Sequence, residues 1–192
     1  MQAHYVFTLR GARRNGTEVW LLTNKYIADV ADGIVKKYKT RDPFSIIKCT
    51  GIILKYSDKY NKLKGYYFNT NRCDFIVVNA LLDSDSAKII AAHELGHYYL
   101  HKEEAKNAAI GDSSLFSSSS KREYEANTFC AEVLLADEKV VSAAGRCGGD
   151  FYKTASFLRV MPELALFKLN SMNSRGHNFS LPFSPGSSFL RE

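Results

Sequence analysis

The spacing of apolar positions predicts two helices in the first third of the chain. Between residues 26 and 38, apolar side chains recur every three or four positions, which is the period of an amphipathic helix. Asp42 and Pro43 suit the N-cap and first turn of a short second helix that runs to about Lys48. Gly51 follows at a position where helices commonly end.

Three β-prone runs come next, separated by turn residues. They cover residues 52–56, 64–69 and 73–79 and are rich in Ile, Val, Tyr and Phe. Because short connections join them in sequence, we expect a small antiparallel sheet of three strands. A long helix that begins near Ser84, with capping residues and an acid at its start, should pack on this sheet.

The second half of the chain predicts helices. A strong helical pattern runs from Lys121 to about Ala136, and a polar break follows at residues 145–149. Two short helices are expected between residues 151 and 169, the second begun by Pro162. Residues 111–120 are serine-rich and predict either a flexible connection or a mobile lid over a cleft.

Composition narrows the class of protein. With 192 residues, of which 45% are hydrophobic, the chain suits one domain or one domain with a small appendage. A Lys-rich solvated surface accounts for the net charge of +6, and an acidic or nucleic-acid partner is the alternative. The four cysteines form no C-x-x-C pair, which favours reduced thiols in a cytoplasmic protein. No signal peptide and no membrane-spanning run is found, so no membrane association is expected.

The main chemical signal is His93-Glu94-x-x-His97. On a helix, the two histidines share one face, so both imidazoles can bind one Zn²⁺ from the same side. Glu94 lies about 100° around the helix from His93, where it can act on a water as the general base of a zinc hydrolase. The histidines belong to one apolar helical stripe, formed by Ile89, Ala92, His93, Gly96, His97 and Leu100.

A zinc peptidase also needs a third protein ligand. The helix from Lys121 offers Glu123, Glu125 and Glu132, and Glu123 shares an inward stripe with Asn127. Glu125 is better explained as a solvated acid on the helix face that pairs with Lys121. We therefore predict Glu123 as the third ligand. Asn127, one turn further on, is predicted to hold a histidine in its metal-binding tautomer.

His101 continues the spacing of His93 and His97 but is not predicted to be a ligand. It lies about 12 Å from His93 along a helix axis, whereas a metal–ligand bond is about 2 Å. We expect it to support the ligands from outside or to serve the helix end.

The two motifs together resemble the ImmA/IrrE family of metallopeptidases. The resemblance is carried by His93-Glu94-Leu95-Gly96-His97 and by the segment 123–135, which starts 26 residues after His97, and it covers about residues 26–175. It implies metal ligation by His93, His97 and Glu123, with Glu94 as general base. One departure is that Ala136 and Asp137 stand where the family often has Met-Pro.

The family resemblance also implies a biological role. Its members are intracellular bacterial, phage or mobile-element proteins that cleave a helix-turn-helix repressor and thereby switch on silenced genes. We therefore expect a monomeric cytoplasmic zinc endopeptidase whose substrate is a separate repressor protein. Binding to DNA is expected to be weak or absent.

A DNA-binding or protein-binding regulator with a peptidase-like fold is the alternative. Residues 154–165 weakly resemble a helix-turn-helix. The second helix of that segment is apolar at residues 164–167, which leaves few side chains to read bases, so a structural cap is the preferred interpretation. A protein that only binds its target would not need Glu94.

The predicted fold class is α+β, with a zincin-like core. In that core, a three-stranded antiparallel sheet packs against the His93 helix and a second helix carries the third ligand. Within residues 1–25, Asn15-Gly16 between two β-prone runs favours a hairpin, and a poorly ordered extension suits them equally. The predicted segments are an N-terminal extension (1–25), a metallopeptidase domain (26–145), a C-terminal helical cap (146–178) and a flexible tail (179–192).

Overall fold

The computed structural model describes the backbone of residues 16–59, 63–70, 73–105 and 116–185, and the side chains of 23–59, 63–70, 73–102 and 121–185. This part of the chain has seven helices and three strands, which confirms the predicted α+β class. The elements are α1 (Gly16–Tyr38), α2 (Pro43–Thr50), β1 (Ile53–Ser57), β2 (Gly65–Thr70), β3 (Cys73–Asn79), α3 (Ser84–Ala105), α4 (Phe116–Leu134), α5 (Asp137–Arg146), α6 (Phe151–Leu158) and α7 (Pro162–Ser174).

The sheet has the strand order β1–β3–β2 and is mixed. β2 is antiparallel to β3, as predicted, but β1 is parallel to β3, so the prediction of an all-antiparallel sheet is wrong for β1. The burial of the strands explains their order in the sheet. Ile76 and Val78 of β3 are fully buried, whereas β1 is mostly exposed, so the most apolar run takes the centre and β1 takes an edge.

Helix α1 starts earlier than predicted. The second β-prone run of the proposed hairpin, residues 18–22, lies inside α1, so that strand prediction is wrong; the first run lies outside the described residues. From Ile27 onward, apolar side chains of α1 pack into the core, and the helix contacts α4 and α7. This tertiary packing outweighs the local β-propensity of Val, Trp and Leu in the first turns.

The predicted caps of α2 are confirmed. The Asp42 carboxylate accepts from the backbone N–H of Ser45 at 2.9 Å, and Pro43 occupies the first turn. Gly51 ends the helix with φ 79°, a left-handed conformation that glycine adopts without steric cost. At the start of α3, Asp83 accepts in the same way from the backbone N–H of Ser86 at 2.9 Å.

Helix α4 separates two apolar clusters. Phe129 and Val133 belong to the cluster enclosed by the sheet, α1, α2 and α3. Cys130 and Ala131, on the neighbouring face, belong to the cluster shared with the C-terminal helices. Because α4 is covered on both sides, the position of each of its side chains relative to α3 is tightly determined.

The predicted C-terminal helix pair is confirmed as α6 and α7, and α5 precedes it. Eight of the thirteen residues of α7 are buried, and the helix contacts α4 and α1. This helix is the recognition helix of the DNA-binding alternative, and its burial supports a structural cap instead. None of the helices in the described residues combines the length and the apolar character that a bilayer crossing requires.

The prediction of a serine-rich loop needs correction. Residues 116–120 of the predicted serine-rich loop form the first turns of α4, and residues 111–115 lie outside the described part of the chain.

At the start of the predicted tail, the backbone N–H of Phe179 donates to the Asn173 side chain at 2.7 Å, and the Phe179 carbonyl accepts from the same side-chain amide at 2.9 Å. The chain is therefore anchored at that point.

A buried group of charged side chains ties α4, α5 and α7 together. The Lys168 ammonium lies 2.5 Å from a carboxylate oxygen of both Glu132 and Asp137. The Arg175 guanidinium bonds the same two carboxylates, and Arg41 donates to the Glu132 carbonyl at 2.8 Å. Burial raises the pKa of Asp137, but its bonds to Arg175 and Lys168 outweigh this and lower the pKa to about 2. The Asp137 carboxylate is therefore ionised at neutral pH.

Lys168→Ala is expected to destabilise the protein by about 3–5 kcal/mol, because it leaves the buried Glu132 carboxylate with one partner fewer. Only 1% of the Lys168 side chain is exposed. The measurement is the midpoint of urea unfolding for the metal-free protein. Lys153→Ala is the matched control, since its side chain is 75% exposed and 3.9 Å from Asp150. Equal midpoints for the two variants would contradict the prediction.

Candidate metal centre

A close approach of α3 and α4 creates the site. A Cβ atom added at Gly96 would lie 3.0 Å from the Ala126 Cα and 3.1 Å from its carbonyl oxygen. Both of those atoms belong to the backbone of α4, so a larger residue at Gly96 would push the helices apart. Glycine between His93 and His97 therefore lets α4 carry its own side chains up to the two imidazoles.

The three side chains predicted as metal ligands, His93, His97 and Glu123, lie close together at this site. The His93 and His97 Nε2 atoms are 3.1 Å apart. The two Glu123 carboxylate oxygens lie 3.4 Å from His93 Nε2 and 3.6 Å from His97 Nε2. In the described part of the chain, these three side chains form a group in which one potential ligand atom from each residue lies within 4.8 Å of the others. The arrangement can hold a metal ion.

Asn127 lies behind His93. Its side-chain oxygen is 2.8 Å from His93 Nδ1, and the residue is fully buried. An amide oxygen can only accept, so His93 carries its proton on Nδ1 and directs the Nε2 lone pair into the cluster. This is the contact that the sequence assigned to Asn127.

The pKa values of the two imidazoles are shifted in opposite directions. Burial lowers the pKa of His97 to about 3, assisted by the nearby charge of His93, so His97 is neutral and its lone pair is available. Burial also lowers the pKa of His93, but its bond to Glu123, the charges of Glu94 and Glu123 and its bond to Asn127 together raise it.

Glu94 stands apart from the ligand group and is 5% exposed. Burial raises the pKa of Glu94 to about 7; the charge of Glu123 also raises it, while His93 and a hydrogen bond from the Tyr67 backbone lower it. A pKa near neutrality suits a group that must accept a proton and release it again. Gly65 of β2 is packed beside Glu94, and a Cβ there would come within 2.4 Å of Ile90. The edge of the sheet can therefore lie close to the carboxylate.

Three tyrosines close in sequence to the histidines and to Glu123, namely Tyr98, Tyr99 and Tyr124, contact other parts of the chain. The Tyr124 hydroxyl accepts from the Asn24 amide at 3.2 Å and from the Asn170 amide at 2.8 Å, which ties α1, α4 and α7 together. The Tyr98 and Tyr99 rings pack edge to face, 4.8 Å between centroids, against the cluster under the sheet. These contacts support structural roles for all three side chains.

His101 and Glu125 were not predicted to interact. Glu125 is not the solvated acid that its sequence position suggested: its side chain is 15% exposed, and one carboxylate oxygen lies 2.9 Å from His101 Nε2. The expected pairing with Lys121 is present at 3.6 Å. His101 is buried, and its Nδ1 lies 3.1 Å from His97 Nδ1. Helical spacing could have suggested the His97–His101 contact, but the approach of Glu125 depends on how α3 and α4 pack.

Comparison with known proteins places these side chains in a family context. The model of the M78 peptidase family, described as the IrrE N-terminal-like domain, matches residues 48–170. The chain is 35% identical to uncharacterized immunity region protein 2 of Bacillus phage phi105 over 54% of its own length and 65% of that protein, just under two thirds. It is 23% identical to the metallopeptidase ImmA of Bacillus subtilis strain 168 over 81% of its length and 91% of ImmA. The three convergent side chains and Glu94 all lie within residues 48–170.

Proposed function

Because the chain belongs to the M78 family of peptidases with an IrrE N-terminal-like domain, we propose that it is a cytoplasmic zinc endopeptidase that cleaves a helix-turn-helix repressor. The observation that carries the proposal is the convergence of His93, His97 and Glu123 beside a separate, buried Glu94. Three protein ligands leave one position open on a tetrahedral ion, which is the arrangement of catalytic zinc sites.

The donor atoms suit a zinc ion. Tetrahedral Zn²⁺ with bonds of about 2.0–2.1 Å separates its ligand atoms by about 3.3 Å. The two Nε2 atoms are 3.1 Å apart, one Glu123 oxygen lies 3.4 Å from His93 Nε2, and the other lies 3.6 Å from His97 Nε2. Two imidazoles and one carboxylate are also ligands that zinc accepts. The charge of Glu123 would offset part of the charge of the ion.

A zinc ion in this position would act as a Lewis acid that lowers the pKa of a water molecule and polarises the scissile carbonyl. Glu94 then accepts a proton from the water molecule, and the water oxygen attacks the carbonyl carbon of the peptide bond. When the C–N bond breaks, Glu94 returns the proton to the leaving nitrogen. The Tyr67 backbone N–H, which bonds the Glu94 carboxylate, holds the base in place during both transfers.

The geometry of β2 supports binding of an extended peptide. In the described sheet, β2 pairs with β3 on one side, and its Tyr67 backbone reaches Glu94. An unfolded segment of a substrate could add to the outer edge of β2 as a further strand, with main-chain hydrogen bonds providing affinity. The repressor as substrate class follows from the ImmA/IrrE resemblance, and the name of the phage relative, an immunity region protein, agrees with it.

We expect one Zn²⁺ per chain. We also expect cleavage of the cognate repressor to stop on chelation and to resume when zinc is restored. Elemental analysis after mild dialysis gives the stoichiometry, and gel electrophoresis of the repressor gives the cleavage. His97→Ala should lose the metal, because the site keeps only two ligands. His177→Ala, at an exposed histidine of the C-terminal segment, is the control and should keep it.

Two results would overturn the proposal. One is full metal content in the His97→Ala protein, which would place the ion elsewhere. The other is unchanged repressor cleavage by chelated protein shown to contain no metal, which would exclude zinc chemistry at this site.

A further inference from the structure

We propose that His101 and Glu125 position His97 for metal binding through two consecutive hydrogen bonds, although neither side chain contacts the ion. The inference rests on the proposed zinc site and concerns what controls its affinity. It assigns a role to a buried histidine and a largely buried glutamate that the ligand set and the general base leave unexplained.

The contacts form a line from α3 to α4. His97 Nδ1 lies 3.1 Å from His101 Nδ1, and His101 Nε2 lies 2.9 Å from a Glu125 oxygen. All three side chains are shielded from water, with 18%, 7% and 15% of their surfaces exposed. Each contact is within hydrogen-bonding distance, and in this setting solvent competes weakly for it.

The protonated nitrogens of His101 and His97 can be assigned from the groups that these two side chains contact. An ionised carboxylate can only accept, so His101 must carry a proton on Nε2. His97 Nε2 faces His93 and Glu123, so a metal ion there would take the Nε2 lone pair and the proton of His97 lies on Nδ1. His97 Nδ1 then donates, and His101 Nδ1 accepts. The Glu125 carboxylate therefore selects the metal-binding tautomer of a histidine that it does not touch.

The two histidine ligands have parallel supports, both supplied by α4. Asn127 accepts from His93 directly, and Glu125 accepts from His97 through His101. Glu123, the predicted ligand, precedes both Glu125 and Asn127 on the same helix. The contacts behind His97 end at the Glu125 carboxylate, whereas His93 is supported by the neutral amide of Asn127. A negative charge increases the basicity of the ligating nitrogen more than a neutral amide does. Packing alone would explain buried apolar residues at positions 101 and 125 but not a line of matched donors and acceptors.

The test measures zinc affinity by competition with a chromophoric chelator, independently of peptidase activity. His101→Phe keeps a ring but removes the acceptor, and we expect its Kd for Zn²⁺ to rise about 10–100-fold, the usual cost of losing a partner of a metal-bound histidine. His101→Asn places an amide oxygen where Nδ1 stood and should recover part of that loss. Lys121→Gln, which alters an exposed side chain 3.6 Å from Glu125, is the control and should change Kd by less than about 2-fold.

A double-mutant cycle shows whether the two side chains act in series. Glu125→Gln alone should weaken zinc binding, because it removes the charge that fixes the His101 proton. In a His101→Phe background, the same change should have no further effect. The side chain at position 101 then has no N–H group that could donate to residue 125. Effects that multiply in the double variant would show that Glu125 acts without His101 and would overturn the inference.

The outcomes separate this inference from the proposed function. Failure of the wild-type protein to bind zinc would refute the zinc site itself. Normal zinc binding by wild type, His101→Phe and His101→Asn alike would refute only the positioning role. Unfolding of each variant in excess chelator is measured in parallel. A drop in metal-free stability with unchanged zinc affinity would assign His101 a purely structural role and would also overturn the inference.

Discussion

Glu94→Gln is expected to keep the fold and the metal while lowering repressor cleavage by about 10²–10⁴-fold, the usual contribution of a general base. Glutamine is nearly isosteric, and its carbonyl oxygen can still accept from the Tyr67 backbone N–H that bonds Glu94. Glu94 lies outside the three-residue ligand group, so loss of its charge leaves the coordinating atoms in place. The glutamine amide cannot accept a proton from water and cannot return one to the leaving nitrogen.

The measurement is cleavage of the cognate repressor by wild type and variant at equal zinc occupancy. Glu163→Gln makes the same chemical change at an exposed position at the start of α7 and should cleave normally. Because burial raises the pKa of Glu94, removal of its charge should not lower the stability of the metal-free protein. Wild-type rates for Glu94→Gln would show that Glu94 is not the base.

Glu123→Gln is expected to weaken zinc binding more than about 100-fold, beyond the 10–100-fold range typical of partners that lie outside the coordination shell. A neutral amide lacks the charge of a carboxylate ligand and coordinates zinc poorly. Glu125→Gln, two positions along the same helix, changes the same atoms but should retain the metal with reduced affinity, because Glu125 contacts His101 and not the cluster.

This pair of variants tests the choice of third ligand directly. Zinc content is measured by elemental analysis and Kd by chelator competition. If Glu125→Gln loses the metal while Glu123→Gln keeps it, the assignment of the ligand to Glu123 is wrong. Equal affinities for the two variants would also contradict it, because the geometry predicts a clear difference.

Features set by neighbouring residues could be predicted from the sequence. His93 and His97 share a face because four residues make about one helical turn, whatever the helix packs against. The N-cap at Asp42 and the helix end at Gly51 follow from side-chain hydrogen bonding and backbone freedom at single positions. The helical stripe led to Glu123, which does lie beside the two histidines, but it wrongly placed Glu125 on a solvated face.

Tertiary packing decided the features that involve distant partners. The parallel pairing of β1 depends on which strand buries both faces, and the helical state of residues 18–22 depends on how α1 packs on α4 and α7. The bond between His101 and Glu125 requires the close approach of two helices at Gly96. Sequence periodicity gives the direction of a side chain on its own element, but the relative placement of elements comes from mutual burial, which is a property of the whole core. Helical period alone therefore located the two histidines, whereas the support behind His97 could be identified only once α3 and α4 had been placed against each other.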